Sequence, residues 1–87
     1  MDIRQVIADH LSTILVEEGR SLAAPLADDT PLLQTGLDSL GYAVLVVRLE
    51  DALGYDPFVL MADPVYPRTF GEFAGCYEAY RDHAAFA

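Results

Sequence analysis

Six consecutive apolar residues, Tyr42 to Val47, follow an Asp-Ser pair in the stretch TGLDSLGYAVLVVRLED, residues 35–51. The run is far too short to cross a membrane. Start and stop signals frame it as a helix: Asp38 or Ser39 can cap its beginning, and Gly54 can end it after Leu53. On that helix Leu45, Val46, Leu49 and Leu53 make the best core stripe. Leu40, Ala43, Val44 and Val47 then fall on a second face, where a helix with a single buried stripe carries polar residues. The fold must therefore bury this helix on every side or leave an apolar face for a partner.

The neighbouring segments supply the packing partners. Ile3, Val6, Ile7, Leu11, Ile14 and Leu15 follow the i, i+3, i+4 rule and predict an amphipathic helix over 3–18. Asp2 and Gln5 have capping-box spacing, and Gly19 is a stop signal. Residues 20–37 contain Pro25, Pro31, Gly36 and a polar Asp-Asp-Thr cluster, which predicts a long loop. Such a loop needs anchors, and Leu22, Leu26, Leu32 and Leu33 are the candidates. Residues 55–68 are broken by Pro57, Pro64 and Pro67 and leave room for one helical turn near 58–62, with Phe58, Leu60 and Met61 packing inward. Thr69 and Glu72 repeat the capping-box spacing. Phe70, Phe73, Ala74, Tyr77 and Tyr80 or Arg81 then predict a last helix to about Ala84. The expected fold is all-α, a small four-helix bundle of three main helices and one short third helix, with a long loop between the first two.

Length and charge narrow the function. At 87 residues the chain is expected to be one domain, 1–87. Its apolar content, 53%, argues against disorder in spite of a formal charge of −9. All five basic residues are arginines, too few for the basic footprint that nucleic-acid binding requires. An acidic surface instead suits basic patches on protein partners. The single cysteine, Cys76, makes neither a disulfide framework nor a cysteine zinc site, and its place on an apolar stripe predicts a core thiol. The amphipathic start MDIRQVIADH has no signal-peptide core, so the expected location is cytoplasmic, with no membrane partner.

Enzymatic readings find little support. A serine nucleophile needs an oriented base, yet His10 and His83 lie near the ends of the first and last helices without an evident acidic orienter. The G-x-S-x-G elbow is missing, since the order is Gly36, Leu37, Asp38, Ser39, Leu40, Gly41. Asp28 and Asp29 are not followed by a calcium-loop pattern. The acidic pairs Glu17–Glu18 and Glu50–Asp51 fit solvated helix faces. No metal site is expected.

Ser39 remains. If Asp38 caps the helix, Ser39 sits in the first turn with its hydroxyl outward. Free N–H groups and the positive end of the helix dipole favour a phosphate esterified there. A cap, a nucleophile and an attachment point all stay open on these grounds.

The stretch Gly36-Leu37-Asp38-Ser39-Leu40 resembles the attachment motif of acyl carrier proteins, four-helix proteins that hold intermediates on a 4'-phosphopantetheine arm. The likeness extends through DDTPLLQTGLDSL and RLEDALGYD to essentially the whole chain. It implies that Ser39 receives the arm from coenzyme A on a phosphopantetheinyl transferase, with Asp38 presenting the serine. It also implies a non-catalytic carrier whose arm thiol bears acyl or aminoacyl groups as thioesters. Its partners would be that transferase, a loading enzyme and downstream transferases or synthases, met by a monomer.

The second face of the serine-bearing helix would be the docking surface: Leu40, Gly41, Ala43, Val44, Val47, Arg48 and Asp51. Carriers of fatty-acid synthesis usually have acidic residues early in this helix, where Gly41 and Val44 stand here, and Arg48 adds a positive charge. Peptidyl carriers commonly have a second glycine where this chain has Leu37. These departures favour a specialised, polyketide or nonribosomal-peptide type of pathway over fatty-acid synthesis, and the lack of lysine fits a GC-rich bacterial source. A non-catalytic helical interaction module, bound permanently through the same apolar face, is the alternative from another class.

Overall fold

The computed structural model describes residues 2–22, 25–63 and 66–84. Four helices follow in order: α1, Ile3–Glu17; α2, Ser39–Leu53; α3, a single turn at Pro57–Leu60; and α4, Phe70–Ala79. Short 3₁₀ turns lie at Leu32–Gln34 and Arg81–His83. No strand occurs among the described residues, only an isolated antiparallel bridge between Pro31 and Thr69. The all-α, four-helix expectation holds.

Local chemistry explains the boundaries. The Asp2 carboxylate accepts from the Gln5 N–H at 3.3 Å and starts α1. Glu18 caps its end, and Gly54 closes α2 at φ 87°, a left-handed conformation that costs glycine little. At α4 the capping box is complete: Thr69 Oγ1 accepts from the Glu72 N–H at 3.2 Å, and the Glu72 carboxylate accepts in return from the Thr69 N–H. These backbone hydrogen bonds, from Arg68 first and then Thr69, hold the Glu72 carboxyl below its ordinary value.

α1 packs against α2 and α4, and α3 packs against α4. Ile7, Leu11 and Leu15 of α1 meet Leu45, Leu49 and Leu53 of α2 in a core that excludes solvent. Each such side chain contributes about 1.5–3 kcal/mol by burial. Phe70, Phe73, Ala74 and Tyr77 are the buried stripe of α4. Tyr42, Phe58 and Tyr77 surround Phe73 at centroid separations of 5.5, 5.9 and 5.1 Å, geometries that favour aromatic pairing.

Several inward assignments change. Leu32 and the unforeseen Leu37 are the buried anchors of the long loop, with Leu22 and Leu26 half-buried, while Leu33 is 62% exposed. The 3₁₀ turn sets adjacent side chains about a third of a turn apart, so Leu32 and Leu33 cannot both face the core. α3 begins one residue earlier than expected, because Asp56 caps it through the Phe58 N–H and Pro57 occupies its first position. That register buries Pro57 and leaves Leu60 outward. Val46 is half-buried at the margin of the core stripe. α4 stops at Ala79 and continues as a 3₁₀ turn, so Arg81 is exposed while Ala84 is buried. Cys76 is half-buried beside Met61 and Tyr66, and partial burial pushes its thiol up. Ala23 and Ala24 of the loop, and Pro64 and Val65 of the irregular segment, lie outside the described residues.

The loop before α2 is stitched to the start of α4. Leu32 N–H donates to Arg68 O at 2.9 Å, Phe70 N–H to Thr30 O at 2.8 Å, and Gly71 N–H to Asp28 O at 2.9 Å. Arg4 reaches from α1 to both Asp28 and Glu78. Backbone pairing explains how a long proline-containing connection holds one path.

Candidate functional site

The first turn of α2 brings together Asp38, Ser39, Leu40 and Gly41. Asp38 is the N-cap, its carboxylate accepting from the Gly41 N–H at 2.7 Å, and its carbonyl accepts from the Tyr42 N–H at 2.9 Å. With the cap supplied by Asp38, the Ser39 hydroxyl is not needed for it and Ser39 is exposed. The cap aims one of the free donors of the first turn at a carboxylate. The Ser39 side chain stands at the positive end of the helix dipole, which favours an esterified phosphate.

Gly41 does not belong to an outward surface. It is buried, and a Cβ there would come within 2.8 Å of Leu37 Cδ1 and 3.2 Å of the Asp38 carboxylate. Leu37 is the anchor that brings the loop into the core, so the missing side chain lets the chain turn sharply into α2 while keeping its cap.

The other members of the second face divide by position. Leu40 is 72% and Val47 62% exposed, and Ala43 and Asp51 are also exposed. Leu40, Ala43 and Val47 share one side at i, i+3, i+7 spacing. Val44 is half-buried against the core. Arg48 is turned toward α1, where its guanidinium forms a two-pronged pair with Glu17 at 2.7 and 3.1 Å. That pair lowers the Glu17 carboxyl and raises the Arg48 guanidinium. Arg48 thus ties α2 to α1, a contact that residue spacing alone did not reveal.

Beside Ser39 lies a groove of about 430 Å³. It is lined by the 31–34 turn, by Ser39 and Tyr42 of α2, and by segment 66–68. Its size falls in the roughly 300–1,000 Å³ range of small-ligand sites. Leu33 and Tyr66 are both well exposed, and Tyr42 is half-buried with its phenol pushed up to about 12 by burial. The groove depends on residues more than twenty positions apart in the chain. Among the described residues that line it, the positive side chain is Arg68.

The histidines lie elsewhere. His10 holds its own helix through Nδ1 and the Val6 carbonyl at 2.8 Å, and His83 faces an opening near Tyr55 and Asp56. Neither lines the groove at Ser39. No helix among the described residues is long and apolar enough to cross a membrane.

A family model described as a phosphopantetheine attachment site matches residues 3–61, from the start of α1 to just past α3. No curated protein and no solved structure matches the chain significantly.

Proposed function

The chain belongs to the phosphopantetheine-attachment family, and on that premise we propose that Ser39 is the attachment residue of a single carrier domain, 1–87. The cofactor of the family is 4'-phosphopantetheine, held covalently, and its domains are in general carriers without catalysis of their own. The observation that carries the assignment is the exposed Ser39 in the first turn of α2, relieved of capping by Asp38 and opening onto a groove.

Phosphopantetheinyl transferase is the modifying partner. The Ser39 oxygen attacks the pantetheine-linked phosphorus of coenzyme A, and the pyrophosphate P–O bond breaks. Adenosine 3',5'-bisphosphate leaves, and the serine proton passes to a base of the transferase. The metal and the base belong to that enzyme. The thiol of the attached arm carries acyl or aminoacyl cargo as a thioester.

Leu40, Ala43 and Val47, with Asp51 beside them, form the docking face for loading enzymes and for downstream transferases or synthases. Their exposure next to Ser39 supports this role. A modest apolar surface favours brief complexes, which a shuttle needs. Beside this face, positions 41 and 44 carry no acidic side chain, and the arginine at 48 is paired with Glu17 of α1. That composition supports a specialised, polyketide or nonribosomal-peptide type of pathway, and the absence of lysine supports a bacterial source.

Intact mass after incubation with coenzyme A and a promiscuous transferase tests the assignment. The wild type is expected to gain one phosphopantetheine and Ser39→Ala none. No gain by the wild type, or an equal gain by Ser39→Ala, sinks it.

A further inference from the structure

On the reading that Ser39 is the attachment residue, we propose that Arg20, just past the end of α1, is a positioning residue for its modification. The Arg20 guanidinium holds the Gly36 carbonyl and thereby fixes how the chain enters the first turn of α2.

Backbone pairing shows where such a hold is needed. The long loop is tied to the start of α4 at Asp28, Thr30 and Leu32. Past Leu32 that support ends. Thr35 folds back on its own 3₁₀ turn, its hydroxyl donating to the Leu32 carbonyl at 2.6 Å. Among the described residues, no backbone hydrogen bond joins Gly36 or Leu37 to another segment. Leu37 is buried, but apolar burial has no direction. The directional contact comes from a side chain: Arg20 Nη1 donates to Gly36 O, 16 positions along the chain.

The donor stands on a fixed base. Gly19 N–H donates to Val16 O at 3.0 Å and Arg20 N–H to Leu15 O at 2.7 Å, which closes the end of α1 as a Schellman turn. The acceptor is seated as well. Gly36 has φ 103°, and a Cβ there would lie 3.5 Å from Leu15 Cδ2 and 3.7 Å from Arg20 Cδ. The last residue of the α1 core stripe and the stem of the arginine therefore flank the glycine that the guanidinium holds. The neighbouring Glu18 carboxylate is 3.9 Å from the same Nη1, too far for a hydrogen bond.

Gly36 leads through Leu37 and the cap Asp38 to Ser39. The later turns of α2 are held independently, since Leu45, Leu49 and Leu53 lie in the core. Loss of the hold thus loosens the head of the helix and spares the rest. In-line attack on phosphorus is sensitive to the placement of the serine oxygen, so the effect belongs in turnover. Arg20 stands apart from Leu40, Ala43 and Val47, so binding of the carrier is left as it was.

Steady-state kinetics with coenzyme A and the promiscuous transferase, at varied carrier concentration, separate the two. Arg20→Met keeps the apolar stem and removes the donors. Its kcat should fall roughly three- to tenfold, the scale of a half-exposed hydrogen bond to a charged group. Its KM should stay within about twofold of the wild type, and amide exchange should quicken at 36–41 but not at 45–53. Arg20→Lys should recover most of the loss, because one carbonyl needs only one donor. Arg4→Gln cuts the ties to Asp28 and Glu78 at the other end of α1 and should leave kcat unchanged. An unchanged kcat in Arg20→Met, a change confined to KM, or an equal fall in Arg4→Gln overturns the positioning role and leaves the carrier assignment standing. Unfolding of Arg20→Met overturns it too, making the tie a requirement of folding. A wild type that gains no mass overturns the carrier assignment and the role in modification together.

Discussion

The two sides of α2 have nearly the same composition and opposite fates. Leu45, Leu49 and Leu53 are wholly buried against α1, while Leu40 and Val47, equally apolar, are 72% and 62% exposed. One side is core by contact with Ile7, Leu11 and Leu15; the other stays open at Leu40 and Val47 among the described residues, where α3 is a single turn that packs against α4. Apolarity alone therefore says little about what a residue in this helix does. Its angular position relative to α1 decides whether it stabilises the protein or remains available to a partner.

Substitutions can break that contrast. The largest effect on folding is expected from Leu49→Ala, which removes packing on all sides and should cost about 2–5 kcal/mol in a denaturant titration. A loss below ~1 kcal/mol would mean the core collapses around the gap and the two sides differ less than their burial implies. Asp38→Ala, at the end where the sides meet, should cost roughly 0.5–2 kcal/mol by freeing the Gly41 N–H. Asp38→Asn keeps a capping oxygen and should hold stability near that of the wild type. If it also slows modification of Ser39, measured as mass gain against time, then the carboxylate charge presents the serine and capping is a separate duty.

The smallest change in stability is expected on the outward side. Val47→Asp should alter unfolding free energy by no more than about 0.5 kcal/mol and leave modification of Ser39 largely intact. Acyl transfer to or from a cognate enzyme should nevertheless fall. Unfolding of this variant would put Val47 in the core and remove the docking face. Normal transfer by a folded variant would place docking elsewhere.

The same contrast shows where residue patterns were sufficient. Helix α2 and its ends follow from short-range chemistry, because Asp38 and Gly54 act on backbone groups within a turn of themselves. The capping box at Thr69 and Glu72 is equally local. Exposure of Leu40, Ala43 and Val47 was legible because helical spacing separates them from the core stripe. Gly41 was misjudged as outward, since its burial depends on Leu37, which only the path of the loop brings over it. Leu33 was misjudged as an anchor because a 3₁₀ turn, rather than apolar content, chose between it and Leu32.

By itself the sequence determined the helical class, the starts of α1, α2 and α4, the stop of α2, and a serine at the head of the most apolar helix. Each of these depends on interactions within about one helical turn. The groove beside Ser39, the Arg48–Glu17 tie and the placement of Arg68 were decided only by tertiary structure. Those features join residues 24 to 37 positions apart, and the Arg4–Glu78 contact spans 74. Their meeting depends on how the 20–37 loop is held against α4, and no local propensity encodes that path.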